Sequence, residues 1–114
     1  MTTLYGISNC DTVKKARRYL DEKGVSYSFH DFRKDGLEPA QVQHWVDTLG
    51  WEALLNKRST SWKALSPAAR ESMDDRSAVA AILQTPTLIK RPLLDTGSAL
   101  YTGFKAETYD GLFA

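Results

Sequence analysis

Cysteine is nearly absent from this sequence: its 114 residues include one, Cys10. A single cysteine cannot close an intramolecular disulfide, so any disulfide step must involve a second molecule. The N-terminal stretch MTTLYGISNCD lacks the charged-then-apolar pattern of a secretory signal. Together with the unpaired cysteine, that absence predicts the reducing cytoplasm as the compartment.

Excess charge and long apolar runs are lacking too. Fifteen basic and fourteen acidic residues leave a formal net charge of +1, whereas a nucleic-acid-binding protein is expected to have a strong basic excess. No stretch approaches the roughly 20 consecutive apolar residues of a membrane span. His30 and His44 have no carboxylate at metal-ligand spacing, so we expect no metal. We predict a monomer that binds neither nucleic acid nor membrane.

Both ends of the chain carry alternating strand and helix patterns. Thr3–Ile7 is β-branched and aromatic, and Val25–Phe32 alternates apolar and polar residues, as strands do. Between them, Asp11–Lys23 has apolar residues at helical spacing and is followed by Gly24, a helix stop signal. A strand, a helix and a strand in this order form a βαβ unit, whose two strands are parallel.

The middle of the chain, residues 38–84, is predicted to be mostly helical. Helix signals occur from Pro39 to Gly50, at Trp51–Leu55, at Ser61–Leu65, from Ser66-Pro67 onward and at Asp74–Leu83. Strand patterns return at Thr87–Ile89, Leu93-Leu94 and Leu100–Gly103, with a turn at Asp95–Ser98 and a helix at Glu107–Phe113. Trp45, Trp51 and Trp62 fall at helical positions that favour the core over ligand binding.

This order predicts an α/β protein with a thioredoxin-like fold, in which a mixed β-sheet carries a helical insertion lobe. We expect one domain over residues 1–114. Its core would comprise residues 1–37 and 85–114, and the insertion residues 38–84.

Cys10 follows a predicted strand and opens a predicted helix, where unpaired N–H groups and the helix dipole favour a thiolate. Lys14 and Arg17 would add to this effect and Asp11 would oppose it. A free cysteine is also commonly a small buried hydrophobic residue, and position alone leaves both interpretations open. In the reactive interpretation, the supporting residues are those that surround the helix start: Asn9, Asp11 and Thr12.

Two arginines are candidate anion ligands. Arg91 precedes Pro92 between two strand patterns, and its planar guanidinium suits a carboxylate or an oxyanion. A thioredoxin-like fold places a cis proline opposite its active thiol, which would direct Arg91 toward Cys10. Without that fold, a surface arginine beside an edge proline is favoured. Arg58 lies in the polar run Asn56–Thr60, and spacing alone favours a solvated residue between two helices.

Three sequence blocks carry a family resemblance: LYGISNCDTVKKARRYL, LGWEALLNKRSTSWKAL and TPTLIKRPLL. In this order and spacing they resemble the ArsC/Spx family, and within it the YffB branch, over nearly the whole chain. The resemblance implies a thioredoxin-like core with a helical insertion. It also implies that Cys10 is the active thiol, that Arg58 and Arg91 bind anions, and that Pro92 is the cis proline.

The sequence departs from this family's pattern in three places. Glutaredoxin-linked arsenate reductases carry a histidine four residues before the cysteine, where this chain has Gly6. They carry a third arginine near the last strand, whereas Leu100–Glu107 has none. Both departures argue against efficient arsenate reduction. Spx-type regulators usually have a C-x-x-C pair, which this chain lacks because Val13 occupies the second position.

The resemblance therefore implies a thiol–disulfide reductase with Cys10 as its active thiol and glutathione as resolving cosubstrate, without a bound cofactor. Expected partners besides glutathione are glutaredoxin or a protein or small-molecule disulfide. Two alternatives stay open: an arsenate reductase of the glutathione and glutaredoxin type, and a non-enzymatic regulator that binds RNA polymerase as Spx does.

Overall fold

A four-stranded mixed sheet joins the two ends of the chain in the computed structural model, which describes residues 1–113. The strands are β1 (Thr3–Gly6), β2 (Ser28–Asp31), β3 (Leu93–Asp95) and β4 (Leu100–Thr102). Their order across the sheet is β2-β1-β3-β4. β1 and β2 are parallel, whereas β3 is antiparallel to both β1 and β4. The predicted βαβ unit and the predicted α/β class are confirmed.

Contacts divide the chain into two units. The first, the sheet unit, comprises Met1–Asp35 and the chain from Arg91 onward, and the second, the helical unit, comprises Gly36–Lys90. The described part of the sheet unit contains the four strands and the helices α1 (Asp11–Glu22), α2 (Phe32–Asp35) and α8 (Ala106–Phe113). The helical unit contains α3 (Pro39–Leu49), α4 (Trp51–Leu54), α5 (Thr60–Lys63), α6 (Pro67–Glu71) and α7 (Asp75–Gln84).

Helix α1 lies against the sheet through a narrow apolar stripe. Its buried residues are Val13, Ala16 and Leu20, all fully inaccessible to solvent and spaced by three and four positions. Ala16 and Leu20 form one core cluster with Leu4 of β1 and Leu94 of β3. Burying a leucine side chain contributes about 1.5–3 kcal/mol, so this cluster fixes the helix on the strand that precedes it.

The helical unit is organised by caps and by one helix pair. Helices α3 and α7 pack together, and Trp45 on α3 and Ile82 on α7 are buried. The side chains of Ser59, Ser66 and Asp74 accept backbone N–H hydrogen bonds at the starts of α5, α6 and α7. Such caps let four- and five-residue helices form, because they satisfy N–H groups that the helix leaves unpaired.

Two strand predictions need correction. Thr87–Ile89 is not a strand: Pro86–Leu88 forms a 3₁₀ turn, closed by a 3.0 Å bond from the Leu88 N–H to the Thr85 carbonyl. Ile89 makes an isolated bridge instead. The second predicted strand, Val25–Phe32, is too long at both ends. The observed β2 (Ser28–Asp31) begins three residues later and ends one residue earlier, because Phe32 starts α2.

The predicted tryptophan positions are partly confirmed. Trp45 and Trp62 are buried, at 1% and 9% exposure, whereas Trp51 is half-buried and stacks on Trp62 with ring centroids 6.1 Å apart. None of the helices in residues 1–113 has the length and apolarity needed to span a membrane.

Tyr109 of α8 offers a stability test in the core of the sheet unit. Its side chain is buried at 1% exposure, and within residues 1–113 its hydroxyl has no hydrogen-bond partner. Tyr109→Phe is expected to raise the free energy of unfolding by about 1 kcal/mol, since an unpaired buried hydroxyl costs about 1–3 kcal/mol. Urea unfolding measures this gain in the free energy of unfolding, and the m-value should stay unchanged.

The matched control is Tyr19→Phe in the same aromatic cluster, whose two rings lie 5.6 Å apart. The Tyr19 hydroxyl donates to Asp110, and this hydrogen bond raises the pKa of Tyr19 to about 12. Its removal is expected to lower the free energy of unfolding. A loss of stability in Tyr109→Phe would show that the buried hydroxyl has a partner.

Candidate thiol site

Cys10 occupies the N-cap of α1, with an extended backbone (φ −103°, ψ 126°). Its N–H donates to the Ile7 carbonyl at 3.4 Å, and its carbonyl accepts from the Lys14 N–H at 2.9 Å. Within the described chain its thiol is free and caps none of the first-turn N–H groups. The side chain is half-buried. A partly accessible thiol therefore lies at the N-terminus of a helix, beside the first-turn N–H groups.

The predicted supporting residues are all on the surface. Asn9, Asp11 and Thr12 are exposed around the start of α1. Asp11 is the acidic residue of the first turn, a position that stabilises the helix. Their roles at the thiol stay a prediction.

The Arg91–Pro92 peptide bond is cis, as the resemblance implies. Pro92 is buried, and its carbonyl accepts the Gly103 N–H at 2.8 Å. The side chain of Arg91 is half-buried. Because β3 is antiparallel to β1, with Leu93 opposite Tyr5, the start of β3 lies beside the end of β1. The cis bond and the turn that leads to Cys10 therefore lie at the same edge of the sheet.

Arg58 belongs to the helical unit and is exposed in the loop between α4 and α5. Asn56 organises this loop: its Oδ1 accepts the Arg58 N–H at 3.0 Å, and its own N–H donates to the Leu88 carbonyl at 2.9 Å. The Ser59 hydroxyl also donates to the Asn56 carbonyl. The loop thus holds a defined backbone at Arg58, as a binding loop requires.

A cavity of about 380 Å³ opens at this loop within the helical unit. Its lining includes three cations, Lys57, Arg58 and Lys90, and one carboxylate, Glu52. The Lys57 ammonium lies 3.8 Å from the Glu52 carboxylate and 5.1 Å from the centre of the Trp51 ring, close enough for an ion pair and a cation–π contact. Three positive charges against one negative charge make the cavity attractive to anions.

Two of these cations were not identified from sequence as site residues. Lys57 and Lys90 are far apart along the chain, and no spacing rule connects them. The nearest signal is the density of basic residues around Arg58 and Arg91, which is not specific by itself.

The basic residues of α1 are divided between two environments. Lys14 and Lys15 are exposed. The Arg17 guanidinium lies 4.2 Å from the centre of the Phe29 ring on β2, a cation–π contact that fixes its position.

Within residues 1–113, no three potential ligands among histidine, cysteine and acidic residues come together as a metal site.

Asp31, at the end of β2, is a further feature that sequence reasoning missed. It is buried at 5% exposure, and its carboxylate accepts backbone N–H groups from Ser8, Arg33 and Lys34. Burial would raise the pKa of Asp31, but the hydrogen bonds from these N–H groups and the Ser8 hydroxyl outweigh it and lower the pKa. An aspartate directly before a short helix is a capping signal that could have indicated it.

Comparison with known proteins assigns the chain to a family. The model of the ArsC family matches residues 5–112. The chain belongs to the ArsC family. A solved YffB structure is 38% identical, covers both chains completely and superposes with a TM-score of 0.95. An arsenate reductase (ArsC) related protein from Brucella melitensis is 40% identical over 98% of this chain and 93% of its own, with a TM-score of 0.81.

Curated relatives agree with this assignment. An uncharacterised protein of Haemophilus influenzae is 43% identical in an alignment of 115 positions that covers all of this chain and all of its own. The global transcriptional regulator Spx of Streptococcus pneumoniae is 24% identical over 109 residues, which are 94% of this chain and 81% of the regulator. The predicted family and the thioredoxin-like fold class of its members are confirmed.

Proposed function

We propose that this ArsC-family protein is a glutathione-dependent thiol–disulfide reductase whose active group is the Cys10 thiol. The observation that carries the proposal is the position of this free, half-buried thiol at the N-cap of α1, at the sheet edge that also carries the cis bond before Pro92. Helix N-termini favour thiolates, and the thiolate is the form that attacks a disulfide.

The proposed cycle has two exchange steps. The Cys10 thiolate attacks the glutathionyl sulfur of a mixed disulfide; a Cys10–glutathione bond forms and the substrate thiolate leaves, taking a proton from solvent. A glutathione thiolate then attacks the glutathionyl sulfur on Cys10. Oxidised glutathione leaves and Cys10 returns as a thiolate, so that one mixed disulfide and one glutathione thiol have become one substrate thiol and one oxidised glutathione. The chain needs no second cysteine for this cycle.

Charge supports the choice of glutathione, which carries two carboxylates. We assign one carboxylate contact to Arg91, which immediately precedes the buried Pro92 in the sheet unit. Separately, we assign a negatively charged substrate group to the cavity of the helical unit, which Arg58 lines with Lys57 and Lys90. Guanidinium groups suit carboxylates because two parallel N–H bonds match the two oxygens.

The charge assignment is tested with two disulfides of different charge. Arg91→Ala is expected to slow the reaction of Cys10 with oxidised glutathione by about tenfold, because a charged hydrogen bond contributes about 1.5–3 kcal/mol before solvent screening. The reaction with neutral hydroxyethyl disulfide should keep its rate. Stopped-flow measurement of both reactions gives the ratio.

Arg91→Lys is the conservative variant, and Arg76→Ala, an exposed arginine of α7, is the matched control. The lysine variant should recover part of the rate ratio between oxidised glutathione and hydroxyethyl disulfide. The control should have the same ratio as the unaltered protein. An equal loss with both disulfides in Arg91→Ala would contradict the assignment.

Two other functions are distinguished by simple outcomes. The arsenate-reductase-related relative makes arsenate reduction the second candidate. It requires arsenate-dependent turnover that disappears in Cys10→Ser. Against it, a Cβ at Gly6, where the resemblance places a histidine in arsenate reductases, would lie 2.7 Å from Val13 Cγ2.

A regulator like Spx would copurify with RNA polymerase whether or not Cys10 is replaced.

A further inference from the structure

Asp31 combines burial with charge in a way that the proposed cycle does not use. No other charged side chain is buried in residues 1–113. A buried carboxylate is costly unless hydrogen bonds compensate it. Here the compensation comes from the backbone N–H groups of Ser8, Arg33 and Lys34, at 3.3, 2.8 and 3.4 Å.

The two oxygens of this carboxylate bind different parts of the chain. Oδ1 accepts from Arg33 and Lys34 and so caps the start of α2. Oδ2 accepts from Ser8, which lies in the turn between β1 and α1, two residues before Cys10. An N-cap uses one oxygen, so the bond to Ser8 is not explained by capping.

Strand register explains why Asp31 reaches this turn. In the parallel pair of β1 and β2, Asp31 lies opposite Gly6, the last residue of β1. The turn that carries Cys10 begins at the next residue, Ile7. Its internal backbone bond, from Cys10 to Ile7, is long at 3.4 Å. A hydrogen bond from outside the turn, such as that from Ser8 to Asp31, therefore helps to fix the backbone conformation of the turn.

We propose that Asp31 is a positioning residue for the active thiol: its Oδ2 holds the Ser8 amide, and with it the backbone from Ile7 to Cys10. The part of this inference that concerns reactivity rests on the proposed function of Cys10. The tether itself does not. Asp31 makes no bond to the thiol, so it acts through the turn.

Ionisation supports this role. The hydrogen bonds that lower the pKa of Asp31 outweigh its burial, so the carboxylate stays ionised at neutral pH. A lowered pKa means that the tether stabilises the folded chain above the unfolded-state pKa. That contribution is lost as the pH falls through the folded-state pKa.

Asp31→Asn distinguishes the roles of the two carboxylate oxygens. The asparagine keeps one oxygen to cap α2, because asparagine caps helices as well as aspartate does. Its NH₂ group replaces the acceptor for Ser8. The matched control is Asp35→Asn, which removes the same charge: Asp35 is exposed, accepts the Asp31 N–H at 3.0 Å and makes no bond to Ser8.

The expected result is about tenfold faster hydrogen exchange of the Ser8 amide in Asp31→Asn but not in Asp35→Asn. The Cys10 reaction with oxidised glutathione should slow by about fivefold in Asp31→Asn alone. The reaction with iodoacetamide, a small reagent that needs little orientation, should change less. Unchanged Ser8 exchange, or equal effects in both variants, overturns the proposal.

A measurement on the unaltered protein covers the case in which Asp31→Asn does not fold. In an NMR titration, the Asp31 carboxyl carbon and the Ser8 amide proton should shift with one shared midpoint. Separate midpoints overturn the tether. If the unaltered protein does not react with oxidised glutathione at all, the proposed function fails, while the Ser8 exchange and titration still decide the tether.

Discussion

Cys10→Ser is expected to abolish thiol–disulfide exchange while leaving the protein at least as stable as before. The serine hydroxyl is not a nucleophile toward disulfides, so reactions with charged and neutral disulfides should both stop. At the same time serine is a favoured N-cap, and the Cys10 side chain caps none of the first-turn N–H groups of the described helix. Urea unfolding should show a gain of about 0.5–1 kcal/mol.

The matched variant is Cys10→Ala, which removes the thiol without supplying a cap. It should lose exchange as completely as the serine variant but gain no stability. Opposite changes of activity and stability at one position are typical of a residue kept for reactivity. Residual exchange in either variant would show that the reaction does not depend on this thiol.

Gly6→Ala is expected to lower the free energy of unfolding, because the added methyl group meets a buried side chain. A Cβ at Gly6 would lie 2.7 Å from Val13 Cγ2 and 3.3 Å from Cγ1, inside the contact between β1 and α1. Val13 is fully buried. Overpacking of this kind costs about 1–3 kcal/mol, to be measured by urea unfolding.

Gly111→Ala provides the control, because apart from its two chain neighbours and the adjacent backbone of α8, no heavy atom of residues 1–113 lies within 4 Å of a Cβ built there. Gly111 is an exposed residue within α8, so alanine should stabilise the helix by about 0.5–1 kcal/mol. In Gly6→Ala combined with Val13→Ala, the loss should be smaller than the sum of the two single losses. Strict additivity would contradict the close contact.

Much of the fold is predictable because its longer elements carry strong local signals. Helix α1 repeats buried residues at helical spacing, and α3 has both a proline at its start and Gly50 at its end. The sequence of Thr87–Ile89 is typical of a strand, but Pro86 opens a 3₁₀ turn at Pro86–Leu88 instead. Four-residue α2 shows no periodicity, and its one local signal is the cap by the Asp31 carboxylate.

The candidate site is predictable only in part, for a similar reason. Cys10 and the arginines at 58 and 91 occur in recognisable sequence blocks, and their proposed roles stay predictions. The cations Lys57 and Lys90 meet at a cavity because the backbone of Leu54 accepts the Lys90 N–H at 2.8 Å. The Ser8 bond to Asp31 depends on the β1–β2 register. Neither follows from local sequence.

The most direct test of the central claim is the intact mass of the unaltered protein, treated first with oxidised and then with reduced glutathione. The proposed cycle predicts that one glutathionyl group is added, that peptide mapping places it on Cys10, and that reduced glutathione removes it. If no adduct forms on the folded protein, or if reduced glutathione leaves the adduct in place, the proposed cycle is wrong.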